Sequence, residues 1–96
     1  MDSILHDGKN CYLCGSPGRW NDPLDWHHIY GKSDRKKSEK YGLKVRLCHN
    51  SCHIFGNKSA HKCRQTSDYL KAKGQIAFEK NYPDLNFFEI FGKNYK

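Results

Sequence analysis

Residues Leu47–His53 read LCHNSCH, and the fold turns on what these cysteines and histidines hold. Cys48 and Cys52 form a C-x-x-x-C pair. Far upstream, Cys11 and Cys14 form a C-x-x-C pair, with 33 residues between the two pairs. Zinc favours four thiolate or imidazole ligands in a tetrahedron, and two such pairs supply them. The stretch Cys11–Gly18, CYLCGSPG, reads as a knuckle turn, with glycines where positive φ or close approach to a metal is needed. The second pair is one residue wider than a usual knuckle, which leaves His49 or His53 as an alternative to a cysteine ligand. Cys63 is left over and reads as a small apolar residue on a helix.

Composition makes a metal staple reasonable. The chain has 96 residues, 36% of them hydrophobic, and a mean hydropathy of −0.95, which is a thin core for one small domain. Structural zinc contributes on the order of 10 kcal/mol to folding and would offset that shortage. Five cysteines is an odd number, against a fully disulfide-paired domain. The first ten residues, MDSILHDGKN, lack the pattern of a signal peptide, and no run approaches a membrane span. The expected setting is therefore the cytoplasm, where clustered Cys and His point to metal. A net charge of +7 and a pI near 9.2 suggest a polyanionic partner, with nucleic acid the default.

Periodicity places the motifs on elements. LDWHHIY, from Leu24, has strand chemistry, and YGLKVRLC alternates Leu43, Val45 and Leu47 with Lys44 and Arg46. Between them Gly31–Lys40, GKSDRKKSEK, reads as a charged loop. HNSCHIF then reads as a short helix ended by Gly56 and Asn57. Helix-forming sequence runs from about Ala60 to Lys80, with Leu70, Lys73, Gly74 and Ala77 on one face. Pro83 and Asp84 separate a last element, with Asp84 as N-cap, Leu85, Phe88 and Phe91 as its apolar stripe and Gly92 as its stop.

Taken together, CYLC, WHHI and LCHNSCH in this order resemble the HNH nucleases, also called the His-Me finger or ββα-metal family. The later GQIAFEKNY and FFEIFGKNY look like the tail of small HNH proteins from phage genomes, so the resemblance spans nearly the whole chain. It implies an α+β fold: a small, treble-clef-like ββα-metal core stapled by zinc, with a C-terminal helical tail. Residues 1–96 would form one domain, with knuckle and core over 11–61 and the tail over 62–96. It also implies a divalent ion, Mg²⁺ or another such as Mn²⁺ or Ni²⁺, distinct from the zinc. His27 and His53 would ligate that ion, and His28 would be the general base in hydrolysis of DNA to 5′-phosphate products. His61 could fold back onto the same ion and is favoured over His49. A phage or bacterial cytoplasm is the implied setting, and a larger phage or host complex is a candidate source of sequence preference.

The sequence departs from the family at the middle letter of HNH. Where an asparagine often precedes the LC, this chain reads YGLKVRLC. Asp34 is the first candidate to hold the second ring nitrogen of His28, with Asn50 and Asn57 as rivals. Arg35, Lys36 and Lys37, in the expected loop, are candidates for phosphate contacts. The alternative function is a zinc-stabilised module that binds nucleic acid without cutting it. An interaction protein that reuses the fold as scaffold is a third class.

Overall fold

A computed structural model describes every residue except Met1, Phe55, Asn57 and Lys58. The rival position Asn57 therefore lies outside the described residues. Two antiparallel strands, β1 (Leu24–His28) and β2 (Lys44–Cys48), pair with Leu24 opposite Cys48, Trp26 opposite Arg46 and His28 opposite Lys44. The β2 alternation is real: Val45 and Leu47 are fully buried, while Lys44 and Arg46 lie at the margin. The N-terminal arm runs along this sheet, with Tyr12 N–H donating to Arg46 O at 2.8 Å and Ile4 N–H to Gly42 O at 2.9 Å.

The expected charged loop between the strands is folded. A 3-10 turn at Lys32–Asp34 leads into helix α1 (Arg35–Tyr41). No apolar stripe announces α1, because its inward anchor is a hydroxyl. Ser38 is fully buried; its Oγ accepts from Tyr30 N–H at 3.0 Å and donates to Tyr30 O at 2.8 Å. Gly42 ends α1 at φ 70°, and a Cβ there would sit 2.4 Å from Asp2 O. Glycine thus serves both the left-handed cap and the passage of the arm.

After β2 the chain makes a π-helical turn at His49–Ile54. It then folds back, and Ala60 and His61 N–H groups donate to Cys52 O and His53 O at 2.7 and 3.1 Å. That return consumes the first residues of the expected second helix, so α2 runs Arg64–Asn81. Its buried face is Leu70, Gly74, Gln75 and Phe78, with Lys73 exposed. Gly74 is a packing residue: a Cβ there would meet Tyr30 Oη at 2.8 Å.

The last helix, α3 (Phe87–Phe91), starts later than expected. Asn86, not Asp84, is the N-cap, accepting from Glu89 N–H at 3.2 Å. That shift turns Phe87 and Phe91 inward, stacked at 4.5 Å, while Leu85 and Phe88 stay 43% and 54% exposed. Tyr30, Leu43, Leu70, Phe78, Phe87 and Phe91 form the centre of the core. Among the described residues no helix is long and apolar enough to cross a membrane.

Candidate metal centres

The two cysteine pairs meet. The knuckle is tightened by Gly15 N–H donating to Cys11 O at 2.9 Å and by Cys14 N–H pointing at Cys11 Sγ at 3.4 Å. β2 delivers Cys48 and the π turn delivers Cys52. Sγ atoms of Cys11, Cys14, Cys48 and Cys52 all lie within 4.8 Å of one another, and Cys14 Sγ is 3.5 Å from Cys48 Sγ. A tetrahedron with metal–sulfur bonds of about 2.3 Å has edges near 3.8 Å, so the cluster has the dimensions of a closed zinc site. Burial and the neighbouring thiols push Cys48 up to about 12 and raise Cys52 as well. Burial also works to raise Cys11, but backbone N–H groups at its sulfur bring it down to about 7. Without a cation Cys48 and Cys52 resist ionisation; a divalent ion removes that obstacle. The four cysteines can therefore hold an ion such as zinc, with His49 and His53 engaged elsewhere.

On the other side of the π turn three imidazoles converge. One ring nitrogen each from His27, His53 and His61 lies within 4.8 Å of the others. Ring centroids are 5.0 Å apart for His27–His53, 5.4 Å for His27–His61 and 4.8 Å for His53–His61. β1 carries His27, the π turn carries His53, and the return pairing with His53 O brings in His61. Burial and the surrounding imidazoles depress His27 to about 3, and burial lowers His53 too. Both rings are thus neutral near pH 7, the state in which imidazole ligates a metal.

His28 ends β1 and lines the same cavity of ≈ 230 Å³ as Trp26, His27, Arg35, His53 and His61. Regular strand alternation would send His27 and His28 to opposite faces, yet both line this cavity. The carboxylate facing His28 is Glu39 of α1, 3.6 Å from Nε2. Asp34, expected in that role, lies 3.5 Å from Lys37 Nζ instead, because the 3-10 turn directs it along the helix. The hydrogen bond and charge of Lys44, 2.7 Å away, hold Glu39 down to about 2. Asn50 is occupied as well: its N–H donates to Asp22 Oδ1 and its amide to Asn21 O.

Asp25 is a functional candidate that the sequence reading missed. Its Oδ2 contacts His49 Nδ1 and lies 3.3 Å from His53 Nδ1, which leaves His53 Nε2 for an ion. Burial works against its charge, yet the two histidines hold the carboxyl below the usual range. The signal was available: Asp25 and His27 are two apart on a strand and so share a face. Asp25, His49 and His53 themselves form a compact donor group. Of the three basic residues expected to meet phosphate, only Arg35 lines the cavity. Lys37 donates to Ile90 O at 2.7 Å and Lys36 sits on the exposed side of α1. No family model, curated protein or solved structure matches the chain.

Proposed function

We propose that this chain is a metal-dependent endonuclease of the HNH, ββα-metal type, hydrolysing DNA phosphodiester bonds. The observation that carries the reading is the convergence of His27, His53 and His61 with His28 in one cavity. Three convergent imidazoles suit Ni²⁺, Mn²⁺ or Mg²⁺, in decreasing match to nitrogen ligands. Once bound, such an ion supplies Lewis-acid stabilisation of charge on the phosphate and the leaving oxygen. His28 takes a proton from the attacking water, and Glu39 stabilises the imidazolium that forms. Arg35 neutralises a non-bridging phosphate oxygen. The bond to the 3′ oxygen breaks, leaving a 5′ phosphate. Asp25 orients His53, and the four-cysteine site fixes the π turn from which His53 projects. Zinc on the cysteines, a treble-clef-like core and a phage or bacterial cytoplasm belong to the same proposal.

The test is plasmid nicking with Mg²⁺, Mn²⁺ and Ni²⁺. His28→Ala should lose at least about a hundredfold in rate, the usual worth of a general base. No nicking by the unmodified protein with any of the three ions would leave a zinc-stabilised binding module in its place.

A further inference from the structure

A second groove, of ≈ 520 Å³, opens beside the imidazole cluster and shares His61 with it. Its charge is one-sided. Lys32 follows β1, Lys62 lies in the turn before α2, Arg64 starts that helix, Lys71 lies further along it, and Lys93 comes from the C-terminal tail. One carboxylate, Asp68, lines the groove, and it is paired with Arg64 at 3.7 Å. Lys71 and Lys93 each lie 5.4 Å from the Tyr95 ring, which holds their ammonium groups on the groove wall. Like charges gathered from separate stretches repel one another, and such a gathering is stabilised by a polyanion laid across it.

The backbone adds an independent sign. Lys32 has φ 55°, the one positive-φ residue other than glycine among those described. Left-handed backbone is costly for a lysine and cheap for a glycine, yet the cation stands at the groove. Strain kept in this way points to function.

We propose that this groove binds the phosphodiester backbone of the DNA strand on one side of the bond to be cut, feeding it past His61. The identity of the strand rests on the endonuclease reading; the affinity for a polyphosphate backbone does not. A lone phosphate fits less well, because the cations are spread along the groove, whereas a strand offers a charge about every 3.4 Å.

The test measures DNA binding by anisotropy across a salt series, in a His28→Ala background so that the duplex stays intact. Lys32→Gln, Lys62→Gln, Lys71→Gln and Lys93→Gln together should flatten the slope of log K against log salt by about 3. A control with equal charge loss, glutamine at Lys36, Lys40, Lys73 and Lys80, should change it by less than about 1. An unchanged slope in the groove variant, or equal flattening in both, overturns the proposal. Inorganic phosphate at matched ionic strength should not displace the DNA; displacement would mean a single-phosphate site. Lys32→Gly should melt no lower than the parent while losing roughly one contact's worth of slope. A lower melting temperature with unchanged slope would remove Lys32 from the groove. If the unmodified protein cuts nothing yet the groove slope behaves as stated, the endonuclease reading fails and the groove stands.

Discussion

Asp25 shows how much a single side chain decides in this molecule. Its carboxylate sits between His49 and His53 and accepts from their Nδ1 atoms, and the same His53 converges with His27 and His61. Carboxylates placed behind ligating histidines typically contribute 10- to 100-fold in metal affinity. Asp25→Asn should therefore weaken binding of Mn²⁺ or Co²⁺ at the imidazoles by about that factor, read by titration calorimetry on zinc-loaded protein. Affinity equal to the parent's would show that Asp25 does not orient the ligand. At this scale the sequence was partly legible. His27, His53 and His61 stood out by residue type and order, whereas Asp25 needed strand alternation to be applied one step upstream. Glu39 was hidden for a different reason: it faces His28 only because residues 35–41 are helical.

Among the elements, the strands and the knuckle were readable because their signals are local. Period-two burial marks β2, and paired cysteines mark the turns. Helix α1 was not readable, since it docks through the hydroxyl of Ser38 and reads as a run of charges. Ser38→Ala should leave Tyr30 N–H and C=O without their buried partner and cost about 1–3 kcal/mol, measured by urea denaturation of zinc-loaded protein. A loss below about 0.5 kcal/mol would mean that water replaces the hydroxyl, outside the range for a buried unsatisfied group. The start of α3 was misplaced by two residues of cap, because Asp84 and Asn86 are both good N-caps. Inward packing of Phe87 and Phe91 decides between them.

For the molecule as a whole, the basic groove could not be seen along the chain, because Lys32, Lys62, Lys71 and Lys93 are far apart in sequence. Metal economy was more visible. A thin core joined to four converging thiols implies that the cysteine site carries stability, so Cys14→Ser should abolish cooperative melting. Normal melting of that variant would show that the core folds without the site.

The proposed function requires two ions, one on the thiolates and a different one on the imidazoles. Titration of metal-free protein with Co²⁺, followed by visible absorption, tests it directly. Two spectrally distinct sites should fill, one with sulfur-to-metal charge-transfer bands and a weaker one without them. His27→Ala with His61→Ala should remove the weaker site alone. Uptake of a single equivalent of Co²⁺, or loss of the thiolate bands in the histidine variant, would mean that thiolates and imidazoles do not hold separate ions.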